Sequence, residues 1–155
     1  MSNRSHHGRR GSRGNHPRRW EQAPARVPNL TVVRPVPANQ LTLGAVVWAH
    51  VPYQDCDSYK TRPAVVIATD RRSVVLLPGS TSQRRLGLPN RYEELTNLAC
   101  AGLSRPTGIR LQPAVIDRLD LVHLCGELSD DDLQALTGRI DVAGARHLLD
   151  GARAA

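Results

Sequence analysis

The chain has 155 residues and a mass of 17.0 kDa, which suits one domain and is too short for two separate cores. Only five residues are aromatic and none is Phe, so Val, Leu, Ile and Ala must build the core. The net charge is +7, and residues 1–40, with eight Arg and a single acid (Glu21), supply all of it. Residues 41–155 are neutral overall.

Several classes of protein are excluded by simple patterns. No apolar run approaches the ~18–20 residues that span a bilayer, and no apolar stretch follows the basic start, so we expect neither a membrane span nor a secretory signal. The cysteines are odd in number and widely spaced, at Cys56, Cys100 and Cys125. This spacing argues against a disulfide scaffold and a zinc site. We expect a reduced, cytoplasmic chain with no cofactor and no metal.

The first 40 residues differ in composition from the rest. Residues 1–28 are rich in Arg, Gly, Ser, His and Pro, and such a stretch cannot offset its ordering entropy. We predict a disordered Arg-rich tail and linker over 1–40 and one folded domain over 41–155. A mobile polycation would bind RNA phosphates without reading sequence. The alternative is that translation begins downstream, at Val27, Val32 or Val33.

The folded part begins with three strand patterns. Alternation predicts a strand over 41–51, a polar loop follows at 52–61, and β-branched runs at 63–69 and 73–78 form a hairpin. Both hairpin runs are apolar on both faces. They should be buried on both sides, either in a small barrel or at a subunit interface.

The second half predicts short helices and strands. After the polar stretch 79–90, the capping-box spacing of Asn90 and Glu93 favours a short helix. Strands follow at 107–116, interrupted at Pro113, and at 121–125. Ser129 with an acid at Asp132 begins the last helix, which Gly138 and Gly144 loosen. We predict a mainly β fold: a compact, partly open barrel with a C-terminal helix.

Five segments in order resemble one family, the PemK/MazF-type toxins, which are endoribonucleases of type II toxin–antitoxin systems. They are GAVVW at 44–48, TRPAVV at 61–66, LPGSTSQ at 77–83, AGLSRPT at 101–107 with Arg110, and GELSDDDL at 126–133. The resemblance covers about residues 41–136. It implies an SH3-like barrel that forms a homodimer and is held inactive by a cognate antitoxin, in a complex that binds DNA. It also implies metal-free cleavage of single-stranded RNA at short sequences, leaving a 2′,3′-cyclic phosphate and a 5′-hydroxyl.

The same resemblance assigns three catalytic positions. Arg62 falls on the catalytic arginine, Thr81 on the catalytic threonine, and Arg110 on an arginine that some members use as a second catalytic group. The sequence departs from the family pattern at two further positions, with Ala45 in place of an acid and Gln112 where those same members carry an aspartate. The loop 52–61 also lacks a histidine that some members employ.

The chemistry of such a cleavage assigns roles without the family. Attack by a 2′-hydroxyl needs a base, positive charge at the phosphorane oxygens and a strand held in line. Arg62 suits the phosphate clamp because its planar fork is always charged, and it could also donate a proton to the leaving oxygen. Thr81 would bond the scissile phosphate or orient the 2′-hydroxyl. The base is open: the candidates by position only are Asp55, Asp57 and His50.

Other residues are candidate RNA contacts. Gln83 could read a base edge, Arg84 and Arg85 could bind phosphates, and Tyr53 and Tyr59 could stack on unpaired bases. The alternative for each is ordinary turn chemistry or a solvated surface. A rival function remains open as well: a non-catalytic SH3-like barrel that binds RNA or a protein partner, with the basic tail supplying nucleic-acid affinity. A second rival makes the tail the functional part and the barrel its scaffold.

Overall fold

The computed structural model describes residues 36–53 and 56–154. Its strands are β1 Ala45–Pro52, β2 Tyr59–Thr69, β3 Ser73–Ser80, β4 Tyr92–Glu94, β5 Gly108–Arg110, β6 Ala114–Asp117 and β7 Leu121–Glu127. Its α-helices are α1 Gln83–Leu86, α2 Leu98–Ala101, α3 Asp130–Thr137 and α4 Val142–Ala154, with single 3-10 turns at Ala38–Gln40 and Arg118–Asp120. The predicted tail 1–28 and most of the linker lie outside the described residues.

The strands form one antiparallel sheet in the order β4-β5-β3-β2-β1-β7, and β6 pairs with β3 at the edge opposite β2. The central ladder aligns Val46 with Val65 and Ala64 with Pro78. The sheet bends at register shifts in the β1–β7 and β2–β3 ladders. The predicted fold class is confirmed: a mainly β, SH3-like, partly open barrel with helices at its C-terminal end.

The three central strands are buried on both faces, as their apolar runs predict. Side chains alternate between two apolar clusters because successive residues of a strand point to opposite sides. Val47, Val66 and Leu76 lie in one cluster, together with residue 36 of the predicted linker. Val46, Val65 and Leu77 lie in the other, which is covered by α3 and α4 through Leu136, Ala145 and Leu149. The chain's own helices therefore cover the face that suggested a subunit interface.

The prediction of a helix start at Asn90 and Glu93 is wrong. Residues 92–94 form β4 instead, because pairing with β5 satisfies their backbone groups in a ladder that aligns Tyr92 with Arg110. The helix begins later, where Asn97 is the N-cap and its side chain accepts from the N–H of Cys100 at 3.1 Å. The break predicted at Pro113 is confirmed, since it separates β5 from β6.

Other segments also differ from prediction. β2 begins at Tyr59, four residues before the predicted strand, so Arg62 lies within the strand rather than directly before it. The polar stretch 79–90 contains the short helix α1. The last helix is two helices, because α3 ends at Gly138 and the carboxylate of Asp141 caps α4 by accepting from the N–H of Gly144 at 2.9 Å.

The predicted start of α3 is confirmed, with one difference that matters for packing. Ser129 Oγ accepts from the N–H of Asp132 at 3.3 Å, as an N-cap should. The Asp132 carboxylate, only 3% exposed, crosses to the segment before α2. It accepts from the N–H and hydroxyl of Thr96 at 2.8 and 2.7 Å and from the N–H of Asn97 at 2.9 Å. One side chain thus joins two distant parts of the chain.

Candidate functional site

Two concave surfaces adjoin beside the ends of the central strands. The first groove, of about 620 Å³, lies between β2, the end of β3 and residues 103–107. The second groove, of about 770 Å³, lies between the end of β1, α1, β4 and β5. Three side chains line both grooves and stand between them: Tyr53, Arg62 and Arg85.

Arg62 is the central cation of this surface. It lies on β2 opposite Ala49, is half-buried, and holds its guanidinium carbon 5.6 Å from the ring centroid of Tyr53. Its Nε is buried and has no hydrogen-bond partner, and no carboxylate lies within ion-pair distance of it among the described residues. The tyrosine face holds this cation without neutralising it. Arg62 is therefore poised to receive an anion.

Thr81 is exposed directly after β3 and lines the first groove with Arg62. A close approach of strands forms the back of this groove at Gly79. A Cβ on Gly79 would lie 2.9 Å from the carbonyl oxygen of Pro63 and 3.1 Å from a methyl carbon of Thr107. Glycine is needed here because any larger residue would push β3 away from β2 and displace Thr81.

Arg110 lies on β5 and lines the second groove, where its Nη2 donates to Gln112 Oε1 at 2.6 Å. Gln112 is the residue at which some members of the resembled family carry an aspartate, so this partner of Arg110 is a neutral amide. The structure brings Arg110 into one groove with Arg62. Thr81 lines only the other groove.

The predicted RNA contacts separate into two groups. Tyr53 and Arg85 line both grooves. Gln83 and Arg84 are exposed on α1 and line neither. Tyr59 also lies outside both grooves, with its ring edge-on to His50 at 5.1 Å between centroids.

The three candidate bases are not among the described residues that line the grooves. His50 Nδ1 shares a hydrogen bond of 2.8 Å with Thr61 Oγ1, and its Nε2 is buried without a partner. Asp57 is exposed outside both grooves, and Asp55 falls outside the described residues.

Three basic residues of the grooves were missed by sequence reasoning: Lys60, Arg91 and Arg105. With Arg62, Arg85 and Arg110 they make six cations, and no described lining residue is Asp, Glu or His. A concave wall of one sign focuses the potential on an anionic ligand. Arg105 lies inside the AGLSRPT segment and could have been found there. Arg91 has no local signal, because only the pairing of β4 with β5 brings it to the site.

Two features are absent from the described part of the chain. No three or more His, Cys, Asp or Glu side chains there are close enough together to hold a metal ion. No described helix is long and apolar enough to cross a membrane.

Comparison with known proteins identifies the family. The sequence profile of the PemK-like, MazF-like toxins of type II toxin–antitoxin systems matches residues 42–143, well over half of the chain. Among solved structures, the chain is similar to the Mycobacterium tuberculosis toxin MazF-mt6, with 21% sequence identity, a TM-score of 0.48, and coverage of 65% of this chain and 94% of that one. A search of curated proteins finds no match. Because the profile matches most of the chain, we conclude that the chain belongs to the PemK-like, MazF-like toxins of type II toxin–antitoxin systems.

Proposed function

We propose that the protein is an endoribonuclease toxin that cleaves single-stranded RNA at short sequences without a metal. The observation that carries the proposal is Arg62, a half-buried cation with no carboxylate partner among the described residues, in one groove with Thr81. Arginine grips phosphate with a planar fork and is always charged, so it suits the site of charge development in phosphoryl transfer.

In the proposed reaction the RNA supplies its own nucleophile. The 2′-oxygen forms a bond to phosphorus and the bond from phosphorus to the 5′-oxygen breaks, leaving a 2′,3′-cyclic phosphate and a 5′-hydroxyl. Arg62 neutralises the phosphorane oxygens, and the Thr81 hydroxyl bonds the phosphate or orients the 2′-hydroxyl. Arg110 adds positive charge from the second groove. A base takes the 2′-proton and the leaving oxygen gains one; Asp55, Asp57 and His50 stay the candidates for this base.

The shape of the site supports a single-stranded substrate. The grooves adjoin at Tyr53, Arg62 and Arg85, so a strand whose phosphate lies on Arg62 extends into both of them. Tyr53 offers a ring on which unpaired bases can stack, and Arg85 a phosphate contact. Gln83 and Arg84, exposed on α1, would contact RNA only beyond these grooves.

Cleavage should proceed in EDTA and should depend on the 2′-hydroxyl at the cut. We expect products with cyclic-phosphate and 5′-hydroxyl ends, identified by mass spectrometry. A strand with a 2′-deoxy nucleotide at the cut site should stay intact because its nucleophile is missing. The matched control is the same strand with the deoxy nucleotide placed elsewhere. A requirement for a divalent metal, or cleavage of the deoxy-substituted site, would contradict the mechanism.

A non-catalytic RNA-binding barrel is the second candidate. Gln112 favours it, because this neutral amide holds Arg110 where some members carry a potential acid or base. The same assay separates the two candidates, since the second predicts RNA binding in EDTA with no products.

We also propose that the protein acts in the cytoplasm, is inhibited by a cognate antitoxin in a DNA-binding complex, and forms a homodimer. The sheet supports the dimer: β7 is the last strand of the sheet, and its Leu124 is exposed. Leu119, just before it, is 79% exposed. An open edge with apolar side chains is a surface that proteins usually cover.

Light scattering at micromolar concentration should therefore give a mass near twice 17.0 kDa. Leu119→Glu should shift the mass towards that of the monomer, because a desolvated charge at the interface is costly. Ala143→Glu, at an exposed position of α4, is the control. A wild-type monomer would remove the dimer from the proposal.

A further inference from the structure

A third concave surface lies at the other end of the β2–β3 hairpin. It has a volume of about 870 Å³ and is formed by the hairpin turn, residue 118 and the end of α4. Four of its side chains, Arg71, Arg72, Arg118 and Arg153, define what we call the distal arginine patch. We propose that the distal arginine patch is a second binding site for the phosphates of single-stranded RNA, separate from the grooves around Arg62.

Little negative charge opposes the patch. Asp70 is its one carboxylate among the described lining residues. It accepts from the backbone N–H groups of Ser73 and Arg72, both at 2.8 Å, and from Arg153 Nε at 2.9 Å. These bonds outweigh desolvation and lower the pKa of Asp70 to about 2, so its charge is already satisfied. Arg153 is thus already paired, with Asp70 and at 3.9 Å with Asp150, whereas Arg71, Arg72 and Arg118 have no carboxylate within ion-pair distance in the described part of the chain.

Arg118 is held in place by neutral partners. Its Nη1 donates to the carbonyl of Arg71 at 3.3 Å and its Nη2 to the carbonyl of Val36 at 3.1 Å. Its Nε is buried and has no hydrogen-bond partner among residues 36–53 and 56–154. Carbonyl groups orient a guanidinium but leave its charge in place. The guanidinium of Arg118 is therefore already positioned and still charged. The patch should need little rearrangement of its side chains to bind an anion.

The chemistry of the patch favours a polynucleotide over an acidic peptide. Its lining has no apolar side chain larger than Ala38 and Ala152, whereas protein partners usually need a pocket for an aromatic or aliphatic anchor. A cluster of four arginines suits the repeating charge of a phosphate backbone. That the polyanion is RNA rests on the proposed function.

The distance between the grooves around Arg62 and the distal arginine patch determines how long an RNA must be to contact both sites. Thr69, at the patch, lies seven residues along β2 from Arg62, which is roughly 23 Å for an extended strand. A stacked strand at about 3.4 Å per nucleotide needs about seven nucleotides to cover that length. A shorter RNA fills the grooves alone, while a much longer one also reaches the patch.

The test measures binding of uncleavable 2′-O-methyl RNA, one strand shorter than this span and one several times longer. Arg71→Ala/Arg72→Ala alters exposed turn residues whose side chains make no hydrogen bond among the described residues. For the long strand we expect weaker binding and a salt slope flatter by about 0.7 for each lost phosphate contact, or about 1.4 for two. The short strand should bind as before. Arg146→Ala, at an exposed position of α4 outside the patch, is the control for the loss of positive charge elsewhere on the protein.

Equal salt slopes for the wild type and the double variant on the long strand would overturn the proposal. So would an equal effect of Arg146→Ala, because general charge would then explain the binding. A double variant that loses affinity for polyglutamate but not for RNA would assign the patch to a protein partner instead. The proposed function fails separately: an unmodified long strand, with its 2′-hydroxyls free, that binds through the patch but is never cut would contradict the endoribonuclease and leave the patch in place.

Discussion

Arg62→Ala is expected to slow RNA cleavage by about 10²–10³-fold, the usual cost of removing one well-placed group that stabilises developing charge. The protein should remain folded, because the buried Nε of Arg62 has no hydrogen-bond partner to lose. Arg62→Lys should recover only part of the rate, since an ammonium is a point charge and cannot fork across two phosphate oxygens. Single-turnover cleavage at saturating enzyme measures the loss in the chemical step, and thermal unfolding measures the fold.

A second substitution in the proposed active site and a control substitution make this experiment specific. Thr81→Ala should also lose most of the activity, because Thr81 shares the first groove with Arg62. Arg146→Ala removes an exposed arginine far along the sequence from that groove and should cleave normally. If Arg62→Ala cuts at the wild-type rate, the arginine clamp is wrong.

Asp132→Asn is expected to lower the free energy of unfolding by about 2–3 kcal/mol at neutral pH. The carboxylate accepts three hydrogen bonds from Thr96 and Asn97, and a hydrogen bond to a charged group makes a net contribution of about 1.5–3 kcal/mol, so the loss of one of them accounts for the expected change. An amide keeps one acceptor oxygen and turns an N–H donor towards the remaining donors. Urea unfolding of both proteins measures the difference. Asp131→Asn, at the exposed neighbouring position, should cost under about 1 kcal/mol.

The effect of Asp132 should also depend on pH. Burial raises the pKa of Asp132, but the hydrogen bonds from Asn97, Thr96 and Ser129 together lower it below the ordinary value of 3.8. A carboxyl whose folded pKa is depressed stabilises the fold above its unfolded pKa and loses that contribution as the pH falls through its folded value. The difference in the free energy of unfolding between wild type and Asp132→Asn should therefore be largest at neutral pH and become smaller below about pH 4. A difference in the free energy of unfolding that stays constant below about pH 4 would contradict the lowered pKa of Asp132.

The sequence predicts well what a single hairpin or helix start determines. The β2–β3 ladder pairs Ala64 with Pro78, so continuing it by two residues places Arg62 beside Ser80 and next to Thr81. The two proposed catalytic positions, which are 19 residues apart, are therefore brought close by local antiparallel pairing, which apolar patterning predicts. The cap at Ser129 is equally local, and the structure confirms it.

Long-range pairing decides what the sequence could not predict. Ile109 joins β5 to β3 at Gly79, and only then does β4 bring Arg91 to the second groove. The same tertiary pairing overrides the helical capping signal at Asn90, because a ladder satisfies more backbone groups than one isolated turn. Asp132 was read as part of a helix start, but its carboxylate binds residues 35 and 36 positions earlier. No local pattern indicates such a partner.

The position of β1 between β2 and β7 has a consequence for how the chain is made. Ala45 pairs with Glu127, 82 residues later, and at about 5–20 residues per second a ribosome needs roughly 4–16 seconds to synthesise that interval. During this interval the edge of β1 that pairs with β7 has no partner. Pairing between strands so far apart in the sequence is also slow in itself. The hairpin bearing Arg62 can form early, whereas β4 and β5, the far wall of the second groove, emerge only later. The nascent chain therefore presents the arginine well before it presents the complete surface around it.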